Sequence, residues 1–159
     1  MTRDRCMLRR RQLLGAAGLL ALPGVAWTAA TTLPLSTSLR AELAPALARQ
    51  QPLVVMVSLH GCPWCKLVRE HYLAPMHTQE GLPVVQIDMG SAQATETATG
   101  QATTHAALVR AWDVKIAPTV LFLGREGREV AERLEGGSPD FYSGYLDDRL
   151  EQARRALVA

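Results

Sequence analysis

Residues 53–65 read LVVMVSLHGCPWC, a valine-rich apolar run that ends in a glycine and two cysteines with two residues between them. A short unbroken apolar run of this kind is a strand buried on both faces, and Pro52 opens it. Beyond the cysteines, Cys65, Val68 and Tyr72 recur at helical spacing on one face. A chain with this junction must carry a strand from the middle of a sheet straight into the first turn of a helix. Pro63 suits the first helical position, where a missing N–H costs nothing, so Cys62 falls at the helix N-cap.

That position has chemical consequences. The unpaired N–H groups of the first turn and the positive end of the helix dipole favour thiolate over thiol at Cys62. Cys65, one turn further in, faces the apolar side and is close enough to bond to Cys62. One exposed, activated cysteine beside one sheltered cysteine suits thiol–disulfide exchange, in which Cys62 attacks a disulfide and Cys65 resolves the mixed disulfide. A purely structural bridge fits less well, because so small a loop restrains the unfolded chain little. A small secreted framework also uses more cysteines at longer range.

The remaining elements follow from periodicity and turn residues. Ser38–Gln50 is a helix with Leu39, Leu43 and Leu47 on one face, and residues 82–89 form a second buried strand. Pro75 bends or ends the helix that carries the cysteines. Residues 90–104 are small, polar and aperiodic, a loop, and His105–Trp112 is a helix. Residues 114–134 give a strand, a turn at Arg125–Gly127 and an antiparallel partner strand. Ser138, Pro139 and Asp140 are read as the start of a last helix that buries Leu146, Leu150, Ala153 and Leu157. The order α-β-α-β-α-β-β-α makes an α/β domain, a central mixed sheet with helices on both faces.

The first thirty residues stand apart. They combine a basic start, an apolar run of 14 residues from Leu13 to Ala26, and small residues near the end. That is the layout of an export signal, and the run is short of the ~20 residues a membrane-spanning helix needs. Arg10 and Arg11 followed by Gln12, Leu13 and Leu14 point to the twin-arginine route, with the general secretory route as the alternative. The expected organisation is a signal over 1–30, a linker over 31–37 and one domain over 38–159, with a periplasmic or otherwise exported destination. Residues 1–30 carry five arginines and one aspartate, so the remainder has 12 basic and 14 acidic residues, a net −2 against +2 for the whole. No basic surplus remains to attract nucleic acid, and Cys62 and Cys65 become the only cysteines.

Several features together resemble the thioredoxin superfamily: the strand before the cysteine pair, VVQID after the helix, IAPTVLF, the hairpin, the glycine pair and the closing helix. The resemblance implies the thioredoxin fold. It also implies that Pro118, 53 positions after Cys65 in Ile116-Ala117-Pro118-Thr119, is a cis-proline lying against the cysteines. By the same resemblance, Ala117 and Pro118 present backbone to an extended substrate segment. Within the superfamily the chain is most similar to exported thioredoxins of the SoxW type, through its signal, its CPWC pair, the expanded loop after the second strand and GGSPDFYSGYLDDRL. The implied activity is reduction of protein disulfides, with electrons from a membrane thiol donor and with no cofactor or metal. One departure stands out. Where thioredoxins carry a buried aspartate six residues before the first cysteine, this chain has Met56; Gly61 likewise replaces a common tryptophan.

Other readings stay open at this stage. The pair can serve disulfide formation or isomerisation instead, and Met76 and His77 with the cysteines invite a non-catalytic Cu(I) carrier. Lys66 and Trp64 belong to the immediate surroundings of the pair, Trp64 as a substrate-facing platform or a filler at the helix start. His60 either tunes Cys62 or is a plain exposed loop residue. Trp112 and Phe122 are expected in the core, and Asp88 as a capping or loop residue.

Overall fold

The computed structural model describes residues 31–137 and 140–158; the expected export signal lies outside them. Helix α1 spans Leu39–Ala48, strand β1 Leu53–Ser58 and helix α2 Pro63–Val68, which runs through a π-turn at Arg69–Leu73 into α3, Ala74–Gln79. Then come β2 (Val84–Asp88), β3 (Ala94–Glu96), β4 (Ala102–Thr104), α4 (His105–Ala111), β5 (Thr119–Leu123), β6 (Glu129–Glu135) and α5 (Tyr142–Val158).

The main sheet has the order β2-β1-β5-β6. Strand β1 runs parallel to β2 and antiparallel to β5, and β5 runs antiparallel to β6. All six residues of β1 are buried, and their alternation feeds two cores. Val54 and Met56 pack with Cys65, Val68, Phe122, Leu146 and Leu150 beneath α2, α3 and α5. Leu53, Val55 and Val57 pack with Leu39, Leu43, Leu108 and Leu121 beneath α1 and α4. This is the thioredoxin fold, a mixed sheet with helices on both faces.

Four details differ from the sequence expectations. Pro75 does not end its helix: the π-turn before it widens the backbone, with the Ala74 N–H reaching the Arg69 carbonyl, and α3 continues to Gln79. Residues 94–104 are not wholly loop, since β3 and β4 form an antiparallel hairpin. The last helix starts at Tyr142, after Phe141 in left-handed backbone (φ 63°). Ser138 and Pro139 themselves lie outside the described residues, and Leu157 is only partly buried. The residues expected as a linker are tied to the domain: Leu33 is in the core, and Leu35 bridges Gln86 in parallel. No helix among the described residues is long and apolar enough to cross a membrane.

Candidate active site

The junction at residues 58–63 is built as its sequence demands. Gly61 adopts φ 72°, a left-handed conformation that turns the chain from strand to helix and that side chains disfavour. Cys62 is the extended N-cap of α2, with Pro63 in the first turn. The Cys65 N–H donates to Cys62 Sγ at 3.1 Å, so the sulfur takes one of the free donors of the helix start. The two cysteines form a disulfide with their Cα atoms 5.2 Å apart. Their surroundings differ sharply: Cys62 is half-buried, whereas Cys65 is 1% exposed among the apolar side chains under α2.

The Ala117–Pro118 peptide is cis, and Cys62 Sγ lies 3.7 Å from the Ala117 carbonyl oxygen. Thr119 Oγ1 donates to the Ile116 carbonyl at 2.7 Å, and the Gly136 N–H donates to the Pro118 carbonyl at 2.8 Å, fixing the loop against β6. Trp64 sits across Gly137: a Cβ on that glycine would lie 2.8 Å from Trp64 Cβ and 3.4 Å from Pro118 Cγ, so no side chain fits there. Leu59, Trp64 and Ile116 are each about half exposed and give the junction an apolar rim.

On the β2 side of Cys62 opens a cleft of about 710 Å³, lined by His60, Cys62, Lys66, Arg69, Gln86 and Asp88 among others. His60, Lys66 and Pro63 are exposed at its mouth. Arg69 Nη1 donates to Gln86 Oε1 at 3.3 Å, and Gln86 Nε2 donates to Asp88 Oδ1 at 2.7 Å. The structure thus brings Cys62 and Cys65 together with Ala117 and Pro118, and places His60 and Lys66 on the cleft beside them. Gly90 and Ser91 line the cleft too, while the hairpin that follows packs against α1 instead.

Other residues fall elsewhere. Phe122 is fully buried and Trp112 partly so. Met76 packs on the core that also holds Cys65, and His77 Nδ1 is 2.8 Å from the Leu82 carbonyl oxygen. No group of three or more His, Cys, Asp or Glu side chains among the described residues is arranged to hold a metal ion. Met56, at the position of the expected aspartate, is fully buried.

Sequence reasoning missed Gln86, Asp88 and Arg69 as members of the site. The signal was present in β2, where two polar residues at alternate positions interrupt an otherwise apolar strand.

A family model for the thioredoxin-like domain matches residues 39–148. No curated protein sequence matches the chain. Among solved structures, thioredoxin NaTrxh from Nicotiana alata is 16% identical, with 77% of this chain and 99% of that one covered and a TM-score of 0.51. Oxidised mitochondrial thioredoxin 3 from Saccharomyces cerevisiae is 17% identical, over 74% and 96%, at 0.50. The DsbH oxidoreductase is 17% identical, over 86% and 95%, also at 0.50. At these identities the likeness is one of fold. The sequence match is the stronger ground: it takes in every strand of the sheet and runs on into α5, and the chain belongs to the thioredoxin-like domain family.

Proposed function

We propose that the protein is an exported thiol–disulfide oxidoreductase that reduces disulfides in protein substrates, an exported thioredoxin of the SoxW type. The observation that carries this reading is the asymmetry of the pair. Cys62 is accessible at a helix start, against the Ala117 carbonyl, and Cys65 is enclosed behind it. In the reduced protein the Cys62 thiolate attacks one sulfur of a substrate disulfide and expels the other as a thiolate. Cys65, losing its proton, then attacks Cys62 Sγ; the Cys62–Cys65 bond forms and the second substrate sulfur leaves. The substrate gains two electrons and the pair loses two.

The apolar rim of Leu59, Trp64 and Ile116 favours an extended protein segment as substrate, laid along Ala117 and Pro118. The Lys66 ammonium, on the same cleft as Cys62, favours its thiolate electrostatically. The basic and apolar pattern of residues 1–30 supports export ahead of the folded domain, and a membrane thiol donor then restores the dithiol.

Trapping tests the roles. Cys65→Ser accumulates long-lived mixed disulfides through Cys62, while Cys62→Ser traps little and loses disulfide reduction. The reverse pattern overturns the assignment. A reduction potential near about −270 mV fits net reduction, and one near about −120 mV would instead mark a disulfide-forming catalyst.

A further inference from the structure

Resolution by Cys65 requires its proton to leave, and among the described residues no carboxylate is fully buried. The core that encloses Cys65 includes Val54, Met56, Val68 and Phe122, and a thioether does not take a proton. The register of the sheet points to where one stands. Met56 pairs with Gln86 and Ser58 with Asp88 in the parallel β1–β2 ladder, so all four side chains belong to the cysteine-bearing face. The polar group absent from β1 is present one strand over.

Asp88 lines the same cleft as Cys62, and about 710 Å³ leaves ample room for water between its carboxylate and the Cys62 sulfur, to which the enclosed Cys65 is bonded. Its carboxylate is held in place. Gln86 Nε2 donates to Oδ1 at 2.7 Å and is itself held by Arg69 Nη1, 3.3 Å from Gln86 Oε1. The Asp88 N–H donates to His105 Nδ1 at 3.1 Å, which anchors the backbone from behind.

Building on the exchange reading above, we propose that Asp88 is the proton acceptor for the resolving thiol, reached through the cleft on the β2 side, with Gln86 and Arg69 as the residues that position its carboxylate. The proton passes from Cys65 through cleft water to Asp88. The Cys65 thiolate closes on Cys62 Sγ, and the departing substrate thiolate takes up a proton. The titratable and charged groups around Asp88 are His60 and Lys66 across the cleft, Arg69 and Glu70 on the π-turn, Cys62, and His105 behind. Of these, His60 is the competing proton acceptor on the cleft, since the Lys66 ammonium has only donors.

The test uses the reduced full chain and the chromogenic disulfide 5,5′-dithiobis(2-nitrobenzoate), which releases one thiolate when Cys62 attacks and a second when Cys65 resolves. In the wild type the second phase stays nearly level from pH 8 down into mildly acidic solution. Asp88→Asn slows that phase about tenfold or more near pH 6.5 and makes it fall in proportion to hydroxide. The first phase changes by less than about threefold, which reports an intact site. Asp88→Glu recovers part of the rate, and added acetate accelerates the second phase of Asp88→Ala. An unaltered second phase in Asp88→Asn overturns the assignment, as does loss of the level region in His60→Asn instead. Absence of the first phase in the wild type would overturn the exchange reading itself.

Discussion

Tyr142 is only 5% exposed, and its hydroxyl has no hydrogen-bond partner among the described residues. Its ring lies 5.0 Å from that of Tyr72, tilted by 41°. Burial, with a smaller push from Tyr72, raises the ionisation of the phenol well above its ordinary range. The folded state therefore keeps a proton that the unfolded chain gives up above about pH 10. This contribution to stability is complete below that pH and is lost as pH rises beyond it. Tyr142→Phe removes a buried, unsatisfied hydroxyl. At pH 8 it is expected to be neutral or stabilising by up to about 1 kcal/mol, and it should lose less stability than the wild type between pH 8 and pH 11. Urea unfolding at both pH values measures this, and parallel losses in the two proteins would contradict it. None of this was legible beforehand, whereas Cys62 and Cys65 were, because their spacing brings them together within one helical turn. Asp88 was read as a strand-end residue because its importance depends on which residues of β1 it stands beside, and no local pattern records that register.

Elements governed by apolar period were legible; elements held by polar bonds were not. The valine-rich run of β1 and the leucines of α5 show their burial in the sequence itself. Residues 94–104 carry no such period, since the hairpin is fastened by side-chain hydrogen bonds. Thr95 Oγ1 is 3.3 Å from Ser36 Oγ, and Ser38 Oγ donates to Glu96 Oε2 at 2.7 Å, with Arg40 Nη2 3.6 Å from the same oxygen. Ser38 is also the N-cap of α1, accepting from the Ala41 N–H at 3.2 Å. One carboxylate therefore joins the hairpin to the start of a helix. Pro75 left a bend or an end open for a related reason: whether a proline ends a helix depends on the turn before it, and here a π-turn precedes it and the helix goes on. Glu96→Ala should cost about 1 kcal/mol, the net worth of a typical hydrogen bond, because the carboxylate is partly exposed. Hydrogen exchange should accelerate across residues 31–40 and 94–104 while β1 and β5 keep their protection. Unchanged exchange in those two segments would show that the hairpin is held by something else.

At the scale of the whole molecule, the order of strands and helices was readable, but the tie that closes the N-terminal segment onto the sheet was not. That tie is His105, fully buried at the first position of α4. Its Nε2 is 2.8 Å from the Ser36 carbonyl, 69 positions earlier, and its Nδ1 accepts from the Asp88 N–H at 3.1 Å. Accepting at Nδ1 fixes the neutral tautomer with its proton on Nε2, which then donates to Ser36. One imidazole thus binds three regions distant in sequence: the segment before α1, the end of β2 and the start of α4. A histidine in a polar stretch advertises none of this, since its partners are backbone groups supplied by the rest of the fold. His105→Ala leaves the Ser36 carbonyl and the Asp88 N–H unpaired in a buried place and opens a cavity, for a combined cost of about 3 kcal/mol. For a domain of this size that lowers the melting temperature by roughly 10 °C. A general loss of stability would be an ambiguous result by itself, so the amides decide. In exchange measured under native conditions, the amides of Ser36 and Asp88 should lose protection ahead of those in the centre of β1, because the two ends of β2 and of the N-terminal segment come free before the core opens. A melting temperature within about 2 °C of the wild type, or Asp88 exchanging no faster than its neighbours in β2, would mean that His105 fills space without joining the three segments.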